Sequence, residues 1–410
     1  MIDIKKIRDN LDEYKIVIAK KKKNVDVHAL LDLDDQRKNL QKQIDDLKFQ
    51  QKKLGEEKKY EEAKALKGEI QTIEESYKTV VEQFDTMMLT MPNFIAPTVP
   101  EGKDDSENVV VKTVGEIPAF NFESKDHMTL MKQFDMVDVE RGVKLAWARS
   151  YFLKNDGMLL EQAVLQYALQ KMVKKWFSAF SVPNMVNTEC LVGTGYFPGG
   201  EEDAYRLERD DQWMIATAEI PITAYHMNEV LSEEELPKKY VGLSPCYRRE
   251  AGTYGKDTAG LYRVHQFMKV EQVVLLPEDI AMSDFWHQQI LQNSMELLDD
   301  LKIPYRLLQL CTWDLSLGKY NSHDIECWMP SRNSYGETHS ATSFLDFQAR
   351  RLNIRYRDSE GKIKYCYTLN NTVVASPRIL IALIENYQQA DGSIKVPEVL
   401  VPFLGKEVIK

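Results

Sequence analysis

The sequence predicts an α+β protein, a body built on an antiparallel sheet preceded by an antiparallel helical hairpin. Three observations carry this. Residues 30–90 are rich in Lys, Glu, Gln and Leu, with no proline and only Gly55 and Gly68. A proline-bearing segment with Pro92, Pro97, Pro100 and Gly102 follows. Beyond it, short β-rich runs show no regular alternation with helices, which favours antiparallel pairing with helices around the sheet.

In the first region Leu33, Leu40, Leu47 and Leu54 recur every seventh residue with Ile44 between them. Ala63, Leu66, Ile70, Ile73, Tyr77, Val80, Phe84 and Met87 then step by three and four. Both patterns place an apolar seam along a helix. A break is expected at Gly55, giving two helices of about 25 residues and a coiled-coil arm of roughly 38 Å. Lys48, Lys52, Lys53, Lys58, Lys59, Lys64 and Lys67 gather near the expected tip against Glu56, Glu57, Glu61 and Glu62. Such a run is ordinarily a solvated helix face; contact with a phosphate backbone is the functional alternative. Proline resists helix, so 92–105 is expected to be a linker between an arm of residues 1–100 and a body of 101–410. In the body, an amphipathic helix is expected over about 159–180 and strands over 240–247, 261–276 and 362–369.

The chain has 410 residues, 43% of them hydrophobic, which is globular composition. Its 53 Lys+Arg against 63 Asp+Glu give a net charge of -10, so a polyanionic partner has to be met by a local basic patch. No run approaches the roughly 18 apolar residues of a spanning helix, and the N-terminus has no signal-peptide core; a cytoplasmic protein with no membrane partner is expected. Five cysteines, an odd number without CxxC spacing, signal neither a disulfide framework nor a zinc site. Gly193-Thr194-Gly195-Tyr196-Phe197-Pro198 fails the dinucleotide fingerprint, and Gly255-Lys256-Asp257 lacks the hydroxyl that follows a P-loop lysine.

Residues 247–271 are the informative stretch, read as strand, Gly-rich loop and strand. Period-two alternation groups Arg248 with Glu250, and Arg263, His265, Phe267, Lys269 and Glu271 with one another, opposite an apolar face of Val264, Met268, Val270 and Val274. Arginine suits phosphate, an aromatic ring offers a stacking face to a purine, and a carboxylate holds an ammonium. A solvated polar sheet face is the bland alternative.

This segment resembles the second signature motif of class II aminoacyl-tRNA synthetases in the form of the seryl-tRNA synthetase family, and the resemblance spans essentially the whole chain. The N-terminal hairpin is similar to that family's tRNA-binding arm. Val182-Pro183-Asn184-Met185-Val186 resembles the dimer-forming first motif, and Thr217-Ala218-Glu219 the serine-site TxE. The block from Glu337-Thr338-His339-Ser340 to Arg351, and Thr368-Leu369-Asn370 through Arg378 with Glu385-Asn386-Tyr387-Gln388, resemble the later motifs. The resemblance implies an antiparallel catalytic sheet in a homodimer. It activates serine with ATP and Mg²⁺, releases pyrophosphate, and esterifies the terminal adenosine of serine tRNA, with selenocysteine tRNA as a further acceptor.

Carried over position by position, Arg248 bridges the α-phosphate and the serine carboxylate. Glu250 and the Val264 backbone read adenine, Phe267 stacks on it, and Arg263 belongs to the ATP site. Thr217, Glu219 and Glu271 line the serine site, which Asn370 and Thr372 complete. Glu337 and Ser340 hold Mg²⁺ and phosphate, and Arg378 clamps the far phosphates. This inventory suits adenylation, where the attacking carboxylate is already ionised and needs positioning and charge neutralisation rather than a base. Ser376-Pro377 reads as a helix N-cap and first position, which puts Arg378 in the first turn. His265, His323 and His339 are expected to be structural.

The chain departs from the family pattern at Asn371, Val373 and Pro377, where small glycines are usual, and at Thr372, Gly336, Ser343 and Trp313. Two rivals are weaker. A synthetase-like ligase acting on a carrier protein lacks the arm and binds zinc, and a non-enzymatic scaffold is expected to lose Arg248, Glu271, Glu337 or Arg378.

Overall fold

The computed structural model describes residues 1–252 and 260–410; the segment 253–259, with Gly255-Lys256-Asp257, lies outside the described residues. The chain divides into two compact units, Met1–Phe94 and Ile95–Lys410.

The first unit holds four helices: α1 (Ile4–Asp9), α2 (Leu11–Lys20), α3 (Val27–Glu56) and α4 (Tyr60–Thr90). Asp26 caps α3 by accepting from the backbone N–H groups of His28 and Ala29. Leu30, Ile44, Ile70, Phe84 and Met88 are buried along the α3–α4 seam, and Leu33, Leu40, Leu47 and Leu54 are half-buried on it. Two facing helices cannot close a seam on all sides, so the heptad leucines stay partly wet. Gly55 lies inside α3, and the turn comes at Glu57, Lys58 and Lys59, with Lys58 in the left-handed region at φ 60. The helices have 30 and 31 residues, so the arm reaches about 45 Å. Lys52, Lys53, Lys58 and Lys59 are exposed around the turn. The two short helices were not expected from sequence, although Ile7, Tyr14 and Val17 are buried at helical spacing. Tyr14 packs against Phe94 in a tilted contact with ring centroids 5.2 Å apart and donates its hydroxyl to the Pro92 carbonyl at 2.7 Å.

The segment expected to be a linker is packed. Ala96 and Val99 are buried, the Ala96 N–H donates to the Tyr320 carbonyl at 3.0 Å, and the Thr312 N–H to the Pro100 carbonyl at 2.9 Å. Proline and small apolar residues form an extended strap there, and its one buried polar side chain among the described residues, Asn93, accepts from the Phe94 N–H at 2.9 Å.

The second unit is built on an eight-stranded sheet: β1 (Val109–Val114), β2 (Ser178–Phe180), β3 (Lys238–Tyr247), β4 (Gln266–Leu276), β5 (Tyr305–Gln309), β6 (Asn321–Met329), β7 (Ser334–Leu345) and β8 (Tyr367–Ala375). The spatial order is β1-β5-β6-β7-β8-β4-β3-β2. Every pairing is antiparallel except that of β2 with β3. Helices α5 (Asn155–Lys174) and α7 (Ile280–Asp300) pack on this sheet, with the short α6 (Glu219–Thr223), α8 (Phe347–Leu352) and α9 (Arg378–Asn386) at its margins. The α+β expectation holds.

Three boundaries differ from expectation. Helix α5 ends at Lys174 and residues 178–180 are a strand. Strand β4 begins at Gln266, so Arg263, Val264 and His265 precede the ladder. The run 362–369 splits between a short strand, Ile363–Tyr365, and β8, which belong to different sheets.

Candidate active site

The site is assembled at the ends of β3 and β4. Strand β3 stops at Tyr247, so Arg248 and Glu250 lie past the ladder and share no strand face. The rims are tied all the same: the Arg248 N–H donates to the His265 carbonyl at 3.0 Å, and His265 Nδ1 meets the Arg248 carbonyl at 3.0 Å. Because a carbonyl only accepts, Nδ1 carries the proton, and His265 is a structural clasp. Glu250 adopts the left-handed region at φ 55 and accepts from Arg263 at 3.3 Å. Val264 is buried at 4% exposure. The Arg248 guanidinium stands 5.3 Å from the Phe267 ring centroid, within cation–π range.

One wall carries Glu337 and Arg378. Arg378 opens α9 and donates through Nη1 to the Glu337 carbonyl at 3.0 Å, through Nε to the Tyr262 carbonyl at 3.2 Å, and pairs with the Glu337 carboxylate at 3.2 Å. Tyr262 donates its hydroxyl to the same Glu337 carbonyl at 3.1 Å, and its ring lies under two guanidiniums, Arg332 at 4.1 Å and Arg378 at 4.4 Å. Burial alone pushes the Glu337 carboxyl up, but Arg378, Arg248 and Lys319 outweigh it and hold it below its usual range. Asp324 on β6 is opposite Ser340 on β7. Its Oδ1 is buried with no hydrogen-bond partner among the described residues, and burial together with the Glu337 charge pushes its carboxyl up to about 7. Glu337, Ser340 and Asp324 thus offer oxygen donors alone, the set that suits a hard divalent cation.

A pocket of buried polar groups forms beside this wall. Thr217 is fully buried, Glu219 is 6% exposed, Glu271 2%, Thr372 7% and Asn370 7%. Strand register sets Glu271 opposite Thr372, and the Thr372 hydroxyl donates to Glu271 Oε2 at 3.2 Å. The same oxygen pairs with Lys269 Nζ at 2.7 Å. Glu219 accepts from the Tyr196 hydroxyl at 3.1 Å and from Gln348 Nε2 at 2.9 Å. Burial and the neighbouring Glu271 push its carboxyl up to about 7. Arg248 acts electrostatically on both Tyr196 and Glu337, so it stands between pocket and wall. Alternation placed Lys269 and Glu271 on a polar face whose bland reading was solvent; both are buried, which rules that reading out.

Ser376 does not cap α9. Its hydroxyl donates to the buried Glu161 of α5, Pro377 takes the cap position with no side-chain bond, and Arg378 is the first helical residue. Two of the departures from the family pattern, Asn371 and Val373, are accommodated in the core, whereas Trp313 is exposed. Asn371 accepts from Gln272 at 2.6 Å and donates to the Ser340 carbonyl at 3.2 Å, and Val373 is fully buried. Lys269, Tyr196, Gln348, Tyr262 and Asp324 were given no role from sequence. For Lys269 the signal was present, two residues before Glu271 on one face; Tyr262 and Asp324 become visible only once strands are paired.

Two family models match the chain: "tRNA synthetase class II core domain (G, H, P, S and T)" over residues 205–387 and "Seryl-tRNA synthetase N-terminal domain" over residues 1–95. A serine–tRNA ligase of Dictyoglomus turgidum is 41% identical over 100% of this chain and 99% of its own length, and that of Treponema denticola is 41% identical over 99% of each. The crystal structure of seryl-tRNA synthetase from Pyrococcus horikoshii complexed with ATP superposes with a TM-score of 0.92 at 33% identity, covering 100% of this chain and 99% of that one. With full-length identity at this level and both halves of the molecule matched, the chain belongs to the seryl-tRNA synthetase family and is an ATP-dependent aminoacyl-tRNA ligase.

Proposed function

We propose that the chain activates L-serine with ATP and transfers the seryl group to the terminal adenosine of serine tRNA, and of selenocysteine tRNA. The observation that carries this is the pocket of Thr217, Glu219, Glu271, Asn370 and Thr372, polar and almost wholly buried, next to Arg248. A pocket of this kind favours a small side chain bearing a hydroxyl over an apolar one.

In this reading Glu271 receives the serine ammonium, and Thr217, Glu219, Asn370 and Thr372 surround the hydroxyl. Arg248 holds the serine carboxylate against the α-phosphate, so that an already ionised nucleophile is aligned with the phosphorus and the charge developing on the phosphate is met by a fixed cation. Phe267 stacks on adenine while Glu250, Arg263 and the Val264 backbone frame it, and Arg378 takes the far phosphates. Glu337 and Ser340 are the residues to hold Mg²⁺, which neutralises phosphate charge when bound; their oxygen chemistry, with Asp324 adjoining, fits that ion.

The exposed lysines at the arm's turn engage the phosphate backbone of the tRNA. The chain acts as a homodimer in the cytoplasm. Trp147 at 85% and Trp176 at 83% exposure, with Met158, Leu159 and Met185 exposed as well, are large apolar residues left in water that association would cover. Exchange between ATP and pyrophosphate, run with each of the twenty amino acids, tests the assignment. Serine alone should support rapid exchange; a higher kcat/KM with any other amino acid would contradict it.

A further inference from the structure

We infer that the serine pocket is built one positive charge short, so that the substrate ammonium completes it and serine binds with release of a proton from Glu219 to solvent. This rests on the reading of the pocket as the serine site.

The shortfall lies among buried groups. Glu219, Glu271 and Lys269 are 6%, 2% and 5% exposed, so none relies on water for its charge. Lys269 is committed to Glu271, with Nζ at 2.7 Å from Oε2, and the Thr372 hydroxyl donates to the same oxygen at 3.2 Å. Among the described residues Glu219 meets neutral donors. Gln348 Nε2 donates to its Oε1 at 2.9 Å and the Tyr196 hydroxyl to its Oε2 at 3.1 Å. The Gln348 amide cannot turn round to offer its oxygen, because that oxygen already accepts from the Thr368 hydroxyl at 2.6 Å. The Glu219 backbone N–H is satisfied by Thr217 Oγ1 at 3.2 Å. Two carboxylates therefore share one cation, and a second buried negative charge without a partner is expensive.

The groups facing Glu219 come from every neighbouring element. They are Tyr196 from the loop after the helix Thr188–Thr194, Gln348 from α8, and Glu271 and Lys269 from β4. Farther off, Cys246 on β3, buried and held neutral, lies near Lys269, and Arg248 acts on Tyr196. In the proposed complex Arg248 is taken up by the substrate carboxylate, so it does not supply the missing charge. Without ligand, the three buried side chains Glu219, Glu271 and Lys269 sum to zero charge when Glu219 carries a proton. The Tyr196 hydroxyl oxygen can accept the hydrogen bond from that proton by turning its own hydrogen away. With ligand, the serine ammonium sits on Glu271, Glu219 is ionised at the serine hydroxyl, and the three side chains together with the ammonium again sum to zero charge. The Glu219 O–H bond is the one that breaks, its proton goes to solvent, and serine keeps all three protons on its nitrogen. Because burial and Glu271 place the Glu219 carboxyl at about 7, about half a proton should leave per serine bound at pH 7.

The test is calorimetric titration of the full-length protein with serine at pH 7, in phosphate and in Tris, which differ in ionisation enthalpy. The heat should differ between the buffers by an amount equal to about half a proton released, and the difference should fall close to zero by about pH 8, where Glu219 is largely ionised and free serine is still almost wholly an ammonium. Glu219→Gln should abolish it. Lys269→Met should raise the serine KM in ATP–pyrophosphate exchange at least about tenfold at pH 7, one pKa unit's worth, with the ATP KM unchanged. Lys269→Arg should restore it. Equal heats in both buffers at pH 7, from a protein that binds serine, overturn the inference alone. A protein that neither binds serine nor supports serine-dependent exchange overturns the reading of the pocket as well.

Discussion

The arm and the pocket each bury carboxylates, and they treat them in opposite ways. On α3, Asp34 is fully buried and is met by three cations: Arg8 at 2.8 Å, Arg37 at 2.6 Å and Lys38 at 2.5 Å. Burial pushes its carboxyl up, but these partners prevail and hold it below its usual range. In the pocket, Glu219 and Glu271 share Lys269, the one buried cation beside them among the described residues, and Glu219 is pushed up to about 7. A charge that ties α1 to α3 is over-supplied with partners because nothing else will arrive to satisfy it. A charge awaiting a ligand is left under-supplied, because a complete set would leave the ligand no interaction to gain.

Several measurements would erase this contrast if they went the wrong way. The largest effect belongs to the hydroxyl subsite. Alanine should support exchange up to about 10⁴-fold less well than serine, since Glu219, Thr217 and Thr372 would be left facing a methyl group. Similar kcat/KM values for the two amino acids would show that the buried polar groups do not read the hydroxyl. Next, Arg248→Ala should reduce exchange on the order of 10²- to 10³-fold, the scale for removing one fixed electrostatic partner. Circular dichroism should stay unchanged, and near-normal exchange in a folded variant would remove Arg248 from the chemistry.

Smaller effects concern stability. Burial lowers His287 to about 3 and His323 and His339 to about 4, and all three lie in the sheet unit. Their native pKa values are below the unfolded value near 6.5, so the stabilisation is present above that pH and is lost as the pH falls through it. At pH 5 each costs on the order of 2 kcal/mol relative to pH 7. Urea midpoints of the body should therefore drop between pH 7 and 5, and His339→Gln should flatten that slope. A midpoint that does not move over this range would mean the histidines titrate freely. Asp34→Asn should destabilise the arm by about 1–2 kcal/mol, because its former partners are partly exposed and recover water. It should leave serine-dependent exchange unchanged; an effect on exchange would mean that the Asp34 cluster serves the chemistry as well.

The two regions were not equally legible in the sequence. The arm was read from its seam, because Leu33, Leu40, Leu47 and Leu54 report a helix from spacing alone. Its length was underestimated because the helix was expected to break at Gly55, whereas a single glycine costs a helix only about 1 kcal/mol. The candidate site residues were expected from the family resemblance, and the structure brings Arg248, Glu271, Thr372, Glu219, Glu337 and Arg378 into one neighbourhood. What stayed hidden was set by pairing between distant strands. Alternation cannot tell a polar face in solvent from one that is covered, so it placed Lys269 on a polar face without showing that its side chain is buried. Ser376 read as a cap because its partner, Glu161, lies 215 residues away.

In this reading one chain divides its labour: the sheet unit makes seryl-adenylate and the arm presents the RNA. The most direct test compares two initial rates on the same protein, serine-dependent ATP–pyrophosphate exchange and the charging of serine tRNA. It uses the wild type and a variant with Lys52, Lys53, Lys58 and Lys59 all changed to alanine. Exchange should be unchanged. Charging at subsaturating tRNA should fall, and the salt dependence of tRNA binding should flatten by up to about one unit of log slope for each lysine–phosphate interaction removed. Equal charging and an equal salt slope in the two proteins would contradict the division of labour and leave the heptad hairpin as a scaffold.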